Sequence, residues 1–134
     1  LTWLTHNATN DTTVLYGFEK PEKVAYGTQV KFIDGGKEQR KTYIHSVTLP
    51  DLKSDEEYVY SVGSDVTRLG SPDLWSPIFK FRTMPAGSNW TLRFAMLGDM
   101  GLANAVSLPF LEKEVLEDRY HMIIHNGDFA YDMD

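Results

Sequence analysis

The stretch Leu92-Arg-Phe-Ala-Met-Leu-Gly-Asp-Met-Gly101, with its echo His121-Met-Ile-Ile-His-Asn-Gly-Asp-Phe-Ala-Tyr131, decides how the chain is read. Twice a short apolar run ends in Gly-Asp, first at Gly98-Asp99 and again at Gly127-Asp128. Leu92, Phe94, Ala95, Met96 and Leu97 suit a strand buried on both faces, and so do Met122, Ile123 and Ile124. Between the runs, Leu108, Leu111 and Val115 recur at helical spacing, with Phe110 and Leu116 widening the stripe. Pro109 belongs in the first turn of that helix, where its missing N–H costs nothing, and Ser107 is placed to cap it. Strand, helix, strand within one sheet implies parallel strands.

Parallel strands bring their C-terminal ends to one edge, where open α/β folds hold their sites. Asp99 and Asp128 each follow a strand end, so both carboxylates are expected at that edge. On neighbouring strands their backbones would lie about 5 Å apart. Carboxylates that close repel unless a proton or a cation stands between them. The glycine before each aspartate lets the chain turn and lets a ligand come near. Either Gly-Asp alone reads as an ordinary cap or turn; the pair, on paired strand ends, favours a hard cation.

These two blocks resemble the first metal-binding blocks of the purple acid phosphatases, within the calcineurin-like metallophosphoesterase superfamily. Gly98-Asp99-Met100-Gly101 is similar to their Gly-Asp-x-Gly, and Gly127-Asp128-Phe129-Ala130-Tyr131 to their Gly-Asp-x-x-Tyr. Most of the superfamily carries His where Gly101 stands; the purple enzymes use a tyrosinate instead, at the place of Tyr131. The resemblance implies that Asp99 and Tyr131 ligate a ferric ion and that Asp128 bridges to a second, divalent ion, iron, zinc or manganese. It implies hydrolysis of phosphate monoesters in acid, with the ions activating water and neutralising phosphoryl charge. The family's later histidine-bearing blocks are not in this sequence, so the chain is expected to be an inactive N-terminal portion of such an enzyme.

Working back from Leu92, residues 84–91 form a linker, marked by Met84-Pro-Ala-Gly-Ser-Asn89. Residues 1–83 read as short strands between turn clusters: Leu1 to Thr5, Thr13 to Phe18, Gln29 to Ile33, Thr42 to Leu49, Glu57 to Val62 and Ile78 to Thr83. Tyr43, His45, Val47 and Leu49 share one face, as do Tyr58, Tyr60 and Val62, and Phe79 with Phe81. Such spacing suits a β-sandwich, and six strands against the usual seven place a missing first strand upstream of Leu1. Leu52 and Tyr58 resemble the tyrosine corner of fibronectin type III domains, and the whole segment is similar to the N-terminal domain of the larger purple acid phosphatases. The expected fold is therefore a fibronectin type III-like β-sandwich over 1–83. The first βαβ unit of an α/β metallophosphatase domain follows over 92–134.

Net charge is −6, with acidic and basic residues interspersed, so no basic face is available for nucleic acid. No apolar run is long enough to span a bilayer. Cysteine is absent, which excludes a disulfide framework within these residues. Asn7, Asn10 and Asn89 open Asn-x-Thr acceptor patterns, three of the five asparagines. Composition alone gives about one in eight, so the excess points to the secretory route, secreted or lysosomal. Among the other polar residues, His45 is expected in the core or at its rim, His6 in solvent, and His121 at the edge away from the aspartates. His125 and Asn126 stand beside the second block, and Asp132 and Asp134 just beyond it. Glu112, Glu114, Glu117 and Asp118 read as the solvated face of the helix, and Trp3 and Trp75 as sandwich packing. Two other readings remain open: a fibronectin-like binding module, or a non-catalytic truncated product. Substrate identity and oligomeric state are not legible.

Overall fold

The computed structural model describes residues 1–101 and 105–128. The chain divides into two compact units, Leu1–Met84 and Pro85–Asp134.

Seven strands build the first unit: β1 (Thr2–Thr5), β2 (Thr13–Gly17), β3 (Lys23–Tyr26), β4 (Thr28–Ile33), β5 (Lys41–Ser46), β6 (Glu57–Gly63) and β7 (Phe79–Arg82). They form two antiparallel sheets, β1-β5-β4 and β3-β2-β6-β7. This is the layered β architecture expected of the segment. Strand β3 is a correction to the six strands read from sequence. Lys20, Pro21 and Glu22 precede it, Lys23 opens it, and only Ala25 of its four residues is buried, so its pattern carried almost no signal. With β3 counted, the number of strands no longer bears on what precedes Leu1. The chain passes from one sheet to the other at Gly27, where an added methyl would stand 1.9 Å from the Ser46 carbonyl oxygen.

Alternation explains the core. Val14, Tyr16, Ala25, Val47 and Tyr58 are buried together, with Trp3, Leu49, Leu52, Tyr60, Val62 and Phe81 packed around them. Each large apolar side chain fully buried there contributes about 1.5–3 kcal/mol. Registers set Tyr58 opposite Phe81 and Tyr60 opposite Phe79, with both ring pairs 5.7 Å apart. The Tyr58 hydroxyl accepts the Lys53 backbone N–H at 2.9 Å, the bond that defines a tyrosine corner.

His45 lies fully inside, its ring stacked on Trp3 at 4.9 Å. Its Nε2 meets Thr5 Oγ1 at 2.8 Å and its Nδ1 meets Thr12 Oγ1 at 2.9 Å. Thr5 has one hydroxyl proton, and it goes to the Asn7 carbonyl at 2.7 Å. Thr5 therefore accepts from His45 Nε2–H, and Nδ1 accepts from Thr12. Burial pushes the imidazole below its ordinary value, in keeping with a neutral ring. Trp75 is likewise buried, its Nε1 donating to the Asp65 carbonyl at 3.3 Å.

The second unit holds a parallel pair, β8 (Phe94–Leu97) and β9 (Met122–His125), with α1 (Leu108–Leu116) between them in sequence. Pro109 lies in the first turn of α1 as expected. Ser107 stands at the N-cap but makes no side-chain bond there, because its backbone is already helical (φ −83°, ψ −12°). The strands were expected to be buried on both faces; instead Phe94, Met96, Met122 and Ile123 are exposed. Among the described residues this unit offers two strands and one nine-residue helix, too little to bury both faces of the pair. The acidic face of α1 is more than solvated: the Tyr120 hydroxyl donates to Glu114, and Glu117 pairs with Arg119 at 2.8 Å.

Candidate metal site at the ends of the parallel strands

Register brings the two Gly-Asp blocks side by side. Phe94 stands opposite Met122 and Leu97 opposite His125, and the Asn126 N–H continues the ladder to the Leu97 carbonyl at 2.8 Å. Gly98 follows Leu97 directly and Gly127 follows His125 after Asn126, so the blocks are offset by one residue and the two glycines lie against each other. A methyl placed on Gly98 would lie 3.2 Å from both the Cα and the nitrogen of Gly127. One placed on Gly127 would lie 2.9 Å from Asp99 Oδ1, 3.0 Å from Gly98 Cα and 3.1 Å from the Asp99 nitrogen. Asp99 and Asp128 thus follow neighbouring strand ends on one edge, both exposed.

The local backbone corrects one expectation. Neither Gly98 nor Gly127 adopts a left-handed conformation; Asp99 does, at φ +53°. Aspartate tolerates that region better than most residues. The turn out of β8 is made by Asp99 itself, and the glycines serve close approach. No spacing rule distinguishes the two uses of glycine, so the sequence was silent on this point.

Histidines sort by edge. His121 lies at the start of β9: its Nδ1 accepts the Arg93 N–H at 3.0 Å and its own N–H donates to the Arg93 carbonyl at 2.8 Å. Its ring meets Trp90 edge to face at 5.3 Å, so it belongs to the framework at the opposite edge. His125 ends β9, half-buried, three residues before Asp128. His6 is exposed in the first unit. Tyr131, Asp132 and Asp134 lie outside the described residues.

Among the described residues no three carboxylate or imidazole groups converge as a metal cluster. What is present is two carboxylates on adjacent strand ends, and a cradle beside Asp99 Oδ1 that any Cβ at position 127 would fill. Two hard oxygen donors suit a hard cation rather than a soft one. They fit the beginning of an oxygen-rich metal site, and a complete one needs further ligands. The acceptor asparagines Asn7, Asn10 and Asn89 are all exposed, while the Thr12 hydroxyl of the Asn10 pattern is committed to His45.

Residues 1–83 match the family described as purple acid phosphatase, N-terminal domain. The human protein named acid phosphatase type 7 is 42% identical over 110 residues, which cover 82% of this chain and 24% of that protein. The mouse protein of the same name gives the same figures. The zebrafish (Danio rerio) protein is 37% identical over 136 residues, 99% of this chain and 29% of its own length. The chain therefore spans between 24% and 29% of these relatives. With its first unit matched throughout and its relatives aligned over most of its length, the chain belongs to the purple acid phosphatases and carries their N-terminal domain.

Proposed function

We propose that this chain is the amino-terminal portion of an acid phosphatase that hydrolyses phosphate monoesters at a binuclear centre of ferric iron with iron, zinc or manganese. The observation that carries the reading is the placement of Asp99 and Asp128 just past neighbouring parallel strand ends, in a chain 42% identical to a protein named acid phosphatase type 7. Two like charges at a common rim are stabilised by a cation between them, and that favours metal over a pair of caps. Bound there, the ions would supply an activated water in acid and charge neutralisation for the phosphoryl group.

The chain's own residues do the positioning. Asp99, turned by its left-handed backbone, offers a carboxylate beside Gly127. Asp128 would offer the second carboxylate from the next strand. Tyr131, by the family resemblance, would supply a phenolate to hold ferric iron. The sandwich, the metallophosphatase assignment of β8-α1-β9 and the fibronectin-like kinship follow the same resemblance. Exposed Asn7, Asn10 and Asn89 support passage through the secretory route as a glycoprotein, secreted or lysosomal.

The test is the intact longer protein assayed on p-nitrophenyl phosphate at acid pH. Asp128→Asn should abolish turnover, and Tyr131→Phe should bleach the visible absorption. Full turnover in Asp128→Asn would overturn the reading.

A further inference from the structure

We infer that Gly98 and Gly127 act as a steric gauge: Gly127 keeps clear the space that the Asp99 carboxylate occupies, and Gly98 keeps clear the space of the backbone that leads into Asp128. The inference rests on the metal reading above and adds the residues that fix the spacing of its two carboxylates.

The distances carry it. At Gly127, the residue before Asp128, a side chain would collide with Asp99: 2.9 Å to its carboxylate oxygen and 3.1 Å to its nitrogen. At Gly98, the residue before Asp99, a side chain would press on Gly127 at 3.2 Å from two backbone atoms, and on Asn126 Oδ1 at 3.4 Å. Each position therefore governs the opposite loop. Both backbones lie outside the left-handed region, so alanine can adopt either conformation and the conflict is purely one of room.

The two replacements differ in what yields. In Gly127→Ala the movable neighbour is the Asp99 carboxylate, since the other close atoms are backbone. The side chain rotates away, and its oxygen would no longer be placed for a cation. In Gly98→Ala the overlap is milder; the Asn126 amide swings aside and the Gly127 backbone shifts by a few tenths of an ångström, taking Asp128 with it. Misplacing a ligand through its surroundings typically costs about 10- to 100-fold in metal affinity. Gly127→Ala belongs at the upper end and Gly98→Ala at the lower.

The experiment uses the intact longer protein. Ferric iron affinity, metal content per chain and the visible absorption band are read for wild type, Gly127→Ala, Gly98→Ala and Asp99→Asn, with far-UV circular dichroism and the thermal midpoint of the metal-free forms. The gauge predicts a native fold in both glycine variants, with weaker iron binding and a shifted band, larger for Gly127→Ala. Loss of iron in Asp99→Asn together with wild-type affinity and band in Gly127→Ala would overturn the gauge and leave the metal reading standing. Retention of iron and band in Asp99→Asn would overturn the metal reading itself. Should Gly127→Ala fail to fold, Gly98→Ala decides: wild-type iron affinity in that folded variant contradicts the gauge.

Discussion

The two units are made of similar apolar strands and come out differently. In the first, two facing sheets close over their interior, and His45 and Tyr58 are exposed by only 0% and 1%. In the second, Gly101 is the one buried residue among those described, and Phe94, Met96 and Ile123 remain 44%, 58% and 47% exposed. An apolar pattern records what a strand requires; a second layer decides whether the requirement is met. The candidate metal site lies on the unit whose described strands stay exposed, and the described residues of the sandwich offer no candidate ligand.

The sharpest way to break that comparison is to separate the units. Residues 1–84 alone should unfold in one cooperative transition worth several kcal/mol, as small domains do. Residues 85–134 alone should show no cooperative transition and little protection of their amides from hydrogen exchange. A cooperative melt of the second piece would remove the distinction.

Within the sandwich, Tyr58→Phe deletes the acceptor for the Lys53 N–H while keeping the ring in its aromatic stack. The loss should be about 1–3 kcal/mol, lowering the midpoint of residues 1–84 by roughly 4–8 °C per kcal/mol. Chemical denaturation would show it, and an unchanged midpoint would mean that the corner bond contributes nothing.

A smaller effect distinguishes the units by pH. His45 is buried with its proton affinity depressed, so the unfolded chain takes up a proton at higher pH than the folded one. The stability of residues 1–84 should be full above the ordinary value of 6.5 and fall as pH drops below it toward the depressed folded value. The steepest slope would be about 1.4 kcal/mol per pH unit. His45→Gln should flatten that window; the same slope in the variant would place the titration elsewhere. Least of all, Glu57→Gln removes the exposed ion pair with Lys80 at 3.2 Å and should shift stability by under about 0.5 kcal/mol.

What was legible in the sequence follows from these energetics. Strands with strict alternation announced themselves: Tyr58, Tyr60 and Val62 face the core, and Phe79 and Phe81 share their face as ring partners of Tyr60 and Tyr58. The burial of His45 followed from its place between Tyr43 and Val47. Strand β3 escaped because a strand with one buried residue leaves no periodic trace. The pairing of β8 with β9, and with it the shared edge of Asp99 and Asp128, was readable from two apolar runs and the helix between them. The use of Gly98 and Gly127 was not, because a glycine needed for room looks the same in sequence as one needed for a turn.

The central claim is that Asp99 and Asp128 serve one metal centre, and metal content tests it most directly. Elemental analysis of the intact longer protein should find iron and a second metal in the wild type and neither in the Asp99→Asn, Asp128→Asn double variant, with the sandwich still folded. A double variant that keeps its full complement of metal would contradict the account.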